Sequence, residues 1–214
     1  VTTMIHCGSR GLGHQTCTEY VRQMIPKLPE WGISLPDKEL ACAPFFSPEG
    51  TAYYKAMCAS ANFAWANRHT IGHRVRESFK KIVGENVSVK TIYDISHNIG
   101  KKEIHTVDGK DRELLVHRKG ATRAFPAGSP YAGDLFRHTG HPILVPGTMG
   151  TSSYVLVANP ESLSISLASA CHGAGRRMSR TEAKRTTRGS TLKEHFEAAG
   201  ILIRCDSDAG LAEE

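Results

Sequence analysis

The chain changes character near residue 87, and that division most constrains its fold. Before it, the sequence reads as helix and irregular excursion. After it come short apolar runs separated by polar turns. Ser47-Pro48-Glu49 is a helix start, with serine placed to cap and proline in the first turn. Ala52, Ala56, Ala59, Phe63 and Ala66 then recur at helical spacing on to Phe79, which predicts one long helix whose aromatic and methionine residues face a core. Residues 14–25 predict a second helix, and 1–6 a strand leading into the glycine-containing loop before it. Pro26, Pro29, Pro36 and Pro44 mark 26–46 as irregular. Strands are expected at 87–93, 103–107, 114–117, 143–145, 153–158, 163–169 and 201–205. Between the last two, 181–188 reads as a basic, mobile segment. Thr191 and Glu194 form a capping box, and Gly200 is a helix stop. Helices grouped early and strands grouped late favour a mixed, strand-rich α+β fold over alternating α/β.

Composition narrows the class without naming a function. The 214 residues suffice for a domain with a real core, and 40% hydrophobic with 22% charged residues is ordinary for a globular protein. There is no apolar run of the length that spans a bilayer, so no transmembrane helix is expected. Cys7, Cys17, Cys42, Cys58, Cys171 and Cys205 show no framework spacing and no signal peptide accompanies them, which favours a reducing, cytoplasmic setting. A net charge of +6 suits a polyanionic partner such as RNA, though many basic proteins bind none.

The chemistry concentrates in five glycine-containing clusters. Cys171-His172-Gly173-Ala174-Gly175-Arg176 sets a possible nucleophile beside a backbone able to turn sharply. Successive N–H groups in such a turn form an anion-binding concavity, and Arg176, Arg177 and Arg180 follow with guanidinium forks that match phosphate oxygens. Pro146 to Tyr154 offers a second cradle of glycines and hydroxyls. Neither cluster fits a P-loop or a dinucleotide fingerprint. His6, in Ile5 to Gln15, and His97, in Asp94 to Glu103, each sit where an expected strand gives way to a polar loop, a common setting for metal ligands. Val116 to Pro126 carries His117, Arg118, Lys119 and Arg123 beside Gly120 and Thr122, which suits a polyanion. The plain alternatives are turns, hydrogen-bonded structural histidines and a solvated basic loop. His69 and His73, one helical turn apart, have no third ligand nearby in sequence and read as a solvated helix face.

Taken together, H-C-G-S-R-G-L-G-H-Q, A-N-F-A-W-A-N-R, S-H-N-I, V-H-R-K-G-A-T-R-A-F, G-T-M-G-T-S-S-Y and C-H-G-A-G-R resemble, in order, the motifs of the RtcB family of RNA ligases, from His6 to about Glu214. The resemblance implies an enzyme of tRNA splicing and RNA repair that uses GTP and Mn2+. It implies that His172 attacks the α-phosphorus of GTP to give a histidine–GMP phosphoramidate. His6 and His97 match two ligands of a manganese ion. Thr148, Met149, Gly150 and Ser153, with Gly173, Ala174 and Gly175, match positions that hold guanylate. Arg10, Lys119, Arg123, Arg176 and Arg180 fall where cations would hold triphosphate or RNA phosphates. The guanylate would pass to an RNA 3′-phosphate, and a 5′-hydroxyl would displace GMP from the resulting RNA–pp–G end; a 2′,3′-cyclic phosphate would first be opened by water. The attacking imidazole must be neutral, so activity is expected to fall at low pH. Partners implied are tRNA halves or broken RNA ends, GTP and an activating protein of the archease type, with no membrane.

The same resemblance predicts that 1–214 is a portion of a single RtcB-like catalytic domain. The family's upstream metal-binding region (an aspartate, a bridging cysteine and an Asn-His pair) and its extreme C-terminal lysine segment are not found in it. Two of three ligands for one manganese would be present and none for the other, so this chain alone is expected to be inactive. Cys7 stands where the family commonly has a small polar residue, and reads as a small buried residue rather than a ligand. Two other classes stay open: a metal-dependent phosphodiesterase or nucleotidyltransferase without ligation, and an RNA-binding module without chemistry.

Overall fold

The computed structural model describes residues 1–148, 150–173, 180–186, 189–207 and 211. Two compact units divide the chain: 1–103 with 115–117, and 104–114 with 118–214.

In the first unit, Ser9 Oγ accepts the Gly13 N–H at 3.1 Å and opens helix α1, Gly11–Met24. Pro26 cannot continue the α-helical ladder, and the chain passes into a 3-10 turn, Ile25–Lys27. The proline-rich stretch after it is irregular apart from a second 3-10 turn, Lys38–Leu40, capped by Asp37. Helix α2, Pro48–Val83, begins as its sequence signals. Ser47 Oγ accepts the Gly50 N–H at 3.0 Å, satisfying one of the orphan donors of the first turn. Lys27 forms an ion pair with Glu49 on that turn. The two helices pack through small and aromatic residues: Thr16 and Ser60 hydroxyls meet at 3.3 Å, and the rings of Tyr20 and Tyr53 at 5.4 Å. Met24 and Ala64 are buried in this unit. His69 and His73 lie exposed on α2, the solvated face expected of them.

Strands β1, Asn98–Val107, and β2, Lys110–Lys119, pair as a hairpin that both units share. Asp108 and Gly109 take φ of 52° and 71° at its tip, the left-handed pair that a two-residue turn requires.

In the second unit, β3, Ala121–Arg123, pairs antiparallel with β6, Ser169–Cys171, in the register Ala121 to Cys171 and Arg123 to Ser169. Strands β4, Pro142–Val145, and β5, Tyr154–Val157, form a separate antiparallel pair. Short helices α3, Gly133–Phe136, and α4, Ser162–Ser166, lie between strands. Helices α5, Arg180–Thr186, and α6, Gly189–Ala198, follow β6. Phe125 is the centre of this unit's core. It is 1% exposed and its ring meets those of His105, Tyr131 and His141 at 5.9, 4.7 and 5.8 Å.

The mixed α+β class holds, with every resolved register antiparallel, while four expected strands do not form. Residues 1–6, 87–93 and 201–205 take up neither helix nor strand. Each has strand-like composition, yet a strand exists only within a ladder, and none of the three belongs to a sheet ladder among the described residues. Residues 163–169 divide into α4 and the start of β6. Here serines defeat the apolar alternation. Ser164 and Ser166 hydroxyls donate to the Glu161 and Ser162 carbonyls, and Leu167 and Ala168, at φ of 49° and 50°, then turn the chain. Of residues 181–188, expected to be a basic, mobile segment, 181–186 lie in α5, where Arg185 and Glu182 pair at 2.8 Å, and 187–188 lie outside the described residues. Thr191 lies inside α6 rather than at its cap, and Gly200 ends the helix with φ of 75°. Among the described residues no helix is long and apolar enough to cross a membrane.

Candidate active site

In the first unit, two loops bring His6 and His97 together. Their Nε2 atoms are 3.0 Å apart, with ring planes inclined at 75°. His6 is exposed and His97 half-buried. Helix α2 holds both loops through two adjacent side chains. Asn67 Nδ2 donates to the Gly8 carbonyl at 2.9 Å and to Cys7 Sγ at 3.2 Å. Arg68 Nη1 donates to the Cys7 carbonyl at 3.3 Å, next to His6, and Nε donates to Asp94 Oδ1 at 2.7 Å, three residues before His97. One guanidinium therefore ties the two histidine loops to each other and to the helix. Cys7 is half-buried and its sulfur accepts from Asn67.

This pair fits a metal ion. Two imidazole nitrogens about 2.1 Å from one ion and at right angles around it are separated by about 3 Å. The 3.0 Å spacing meets that requirement. Neutral imidazoles suit several divalent first-row metals, so geometry and availability decide among them.

In the second unit, the two glycine clusters meet. Gly173 packs against Pro146: a β-carbon there would lie 3.2 Å from the Pro146 carbonyl oxygen. His172 follows β6, and its Nδ1 lies 2.8 Å from the carbonyl oxygen of Gly120, which also accepts the His172 backbone N–H at 3.3 Å. A carbonyl can only accept, so Nδ1 carries a proton and donates it in this hydrogen bond. Gly120 has φ of 66°, a conformation that favours glycine, and a β-carbon there would be in ordinary van der Waals contact with the His172 ring, 3.6 Å from Nδ1.

The 146–153 loop satisfies part of its own backbone. Ser153 Oγ accepts the Gly147 N–H at 3.2 Å, and Thr151 Oγ1 accepts the Thr148 N–H at 2.8 Å. Thr148 and Ser153 are exposed, and Gly150 lies against the Phe196 ring of α6, where a β-carbon would be 2.9 Å from Cε1. Met149, Ala174, Gly175 and Arg176 lie outside the described residues, as does the side chain of Arg180.

The remaining cations divide. Arg10 is exposed at the start of α1, with φ of 53°, and Lys119 is exposed at the end of β2. Arg123 is half-buried, its guanidinium 5.7 Å from the Phe125 ring centre and 6.0 Å from that of Tyr131. Arg118 departs from the reading of 116–126 as a loop offered to a polyanion. It is 3% exposed and donates to Ser169 Oγ and to the Leu167 and Ala168 carbonyls. Alternation along β2 turns it inward, away from Lys119.

Sequence reasoning gave no role to Asn67, Arg68, Asp94 or the Gly120 carbonyl. Asn67 and Arg68 lay within a quoted motif, but only the folded loops show what they hold. A main-chain carbonyl leaves no residue-type signal beyond the glycine that aims it.

The family model described as tRNA-splicing ligase RtcB matches residues 1–214. Curated proteins named tRNA-splicing ligase RtcB are similar to the whole of this chain. That of Archaeoglobus fulgidus is 50% identical over 217 residues, that of Thermococcus kodakarensis 48%, and that of Methanocaldococcus jannaschii 46%. The chain spans 45% of the length of the first two and 22% of the third. With the family model matched from end to end and relatives 46–50% identical across the whole chain, this chain belongs to the RtcB family.

Proposed function

We propose that this chain carries part of the catalytic centre of a GTP-dependent RNA ligase that joins 3′-phosphate or 2′,3′-cyclic phosphate ends to 5′-hydroxyl ends, in tRNA splicing and RNA repair. The observation that carries the reading is the hydrogen bond from His172 Nδ1–H to the Gly120 carbonyl. It commits Nδ1 to the carbonyl, which makes Nε2 the ring nitrogen that would attack phosphorus.

In this reading Nε2 of His172 attacks the α-phosphorus of GTP. The new N–P bond forms as the bond to pyrophosphate breaks, leaving GMP on the ring. An oxygen of the RNA 3′-phosphate then takes the guanylate and frees the histidine. The RNA 5′-hydroxyl attacks the phosphorus of that activated end, loses its proton and expels GMP. Phosphoryl transfer of this kind asks the protein mainly for positioning and charge stabilisation. Thr148, Met149, Gly150 and Ser153, with Gly173, Ala174 and Gly175, are assigned to the guanylate. Arg10, Lys119, Arg123, Arg176 and Arg180 are assigned to triphosphate or RNA phosphates. His6 and His97 are assigned to Mn2+, which when bound supplies Lewis-acid polarisation of phosphate oxygens. A cytoplasmic location and an activator of the archease type belong to the same reading, and 1–214 is taken as a portion of one catalytic domain.

The test is protein labelling with α-labelled GTP and manganese, on the natural protein that carries this chain and on its His172→Ala variant. The expected result is an acid-labile, alkali-stable guanylate that the variant lacks. An unlabelled protein that still opens cyclic phosphates would replace the ligase with a phosphodiesterase. RNA binding that is salt-sensitive, unaccompanied by turnover and indifferent to His172→Ala would leave a binding module.

A further inference from the structure

Arg118 is a cation in a basic motif, yet its guanidinium is spent inside the second unit. It is 3% exposed. Nε donates to Ser169 Oγ at 2.9 Å, and Nη2 donates to the carbonyls of Leu167 at 2.9 Å and Ala168 at 3.4 Å. Leu167 and Ala168 are consecutive non-glycine residues with φ of 49° and 50°. L-residues adopt that conformation only against a steric penalty, so a turn built from two of them needs support from its surroundings. Arg118 gives that support by collecting the carbonyls that the turn aims inward. Ser169 Oγ closes the turn further by donating to the Leu167 carbonyl at 3.3 Å.

That turn sets the start of β6. Antiparallel pairing places Ser169, Ala170 and Cys171 opposite Arg123, Thr122 and Ala121. The next position brings His172 opposite Gly120, where the ring and the backbone N–H both reach the Gly120 carbonyl. One short segment, Arg118 to Gly120, thus holds β6 at both ends: the side chain of Arg118 holds the entry and the main chain of Gly120 the exit. A slip of one residue would reverse every side chain of the strand and take His172 off its carbonyl.

We propose that Arg118 is a positioning residue for the His172 nucleophile, fixing the register of β6 through the Leu167–Ala168 turn, and that unlike its neighbour Lys119 it does not bind phosphate. The proposal rests on the reading that His172 accepts guanylate. The orientation of the ring can be measured without that reading.

The test uses Arg118→Lys and Ser169→Ala in the natural protein that carries this chain, with two readouts. The first is guanylylation against GTP concentration. The second is the tautomer of His172 from its 15N ring resonances, assigned by their loss in His172→Ala. Arg118→Lys is expected to slow saturated guanylylation about 10- to 100-fold, the scale of a small misplacement of a reacting group, with the GTP concentration for half-saturation little changed. The single Nδ1–H tautomer is expected to give way to a mixture. Ser169→Ala removes one bond of the clamp and is expected to move both readouts the same way by less; should Arg118→Lys fail to fold, it decides alone. A raised half-saturation with an unchanged saturated rate would make Arg118 a phosphate ligand and overturn the proposal. An unchanged rate and an unchanged tautomer would overturn it too. If the unsubstituted protein takes no label, the guanylate reading fails, and the tautomer in the variants still decides whether Arg118 positions the ring.

Discussion

The His6–His97 pair and His172 are held by opposite means. In the first unit, side chains from a long helix reach out to two loops: Asn67 and Arg68 grip the main chain and sulfur of 7–8 and the carboxylate of Asp94. In the second, a strand end offers its own main chain: the Gly120 carbonyl takes the ring and the backbone N–H of His172. A side-chain staple can be deleted by one substitution without disturbing the helix that carries it. A carbonyl cannot be deleted, only re-aimed by changing the backbone that presents it. In the proposed reading the side-chain staples serve metal ligands and the main-chain carbonyl serves a nucleophile, whose attack needs close placement.

The largest break in that comparison should come at Gly120. Alanine at φ of 66° costs about 1–2 kcal/mol in the left-handed region, and relaxing it rotates the peptide that carries the carbonyl. Gly120→Ala is expected to lower guanylylation about 10- to 100-fold while manganese affinity is kept. Label incorporation and a manganese titration by electron paramagnetic resonance check the two halves. Equal losses in both would show that the two regions are not held independently.

Arg68→Met should do the reverse. It removes the bonds to Asp94 and to the Cys7 carbonyl from a side chain that is 11% exposed. The expected loss is about tenfold in manganese affinity, the usual scale for losing a group that orients a ligand, with about 2 kcal/mol of stability from the missing charged hydrogen bonds. Calorimetric binding and urea unfolding measure these. Unaltered metal binding would mean that the two loops hold their own shape.

Ser47→Ala sharpens the contrast from a distance. It deletes the cap of α2 while leaving Asn67 and Arg68 in place. About 1 kcal/mol of stability should be lost, seen as a lower thermal midpoint, with manganese affinity unmoved. A parallel fall in affinity would show that α2 transmits strain along its length.

The smallest effect is a pH dependence at His117. Partial desolvation of its ring lowers its pKa from the ordinary histidine value. The unfolded chain therefore takes up the proton first. Stability is full above about pH 6.5, falls as the pH drops toward the lowered value and levels off below it. Urea midpoints measured across that interval should slope, and His117→Gln should flatten the slope. An unchanged slope would assign the acid sensitivity to other groups.

What could be read before folding was local. The cap at Ser47, the proline that ends α1 and the glycine that stops α6 act within one turn of chain, and each stands where its residues place it. Strand-like composition was less reliable, because pairing depends on a distant partner. Residues 87–93 have the side chains of a strand and no ladder among the described residues, while 163–169 spend their serines on a helical turn. The site divided in the same way. His6, His97 and His172 are residue types whose chemistry can be read from one letter.

The sequence by itself determined the two long helices, the mixed class, the glycine clusters and the candidate nucleophile, because side-chain chemistry and short-range backbone preference are properties of neighbouring residues. Only the tertiary structure decided that His6 and His97 meet at 3.0 Å, that Gly173 rests on Pro146, and that His172 gives its Nδ1 proton to a main-chain carbonyl. It also decided that Arg118 faces the core while Lys119 faces outward. Each of these joins residues far apart in the chain, and such contacts depend on loop closure, strand register and burial, which no window of neighbouring residues contains.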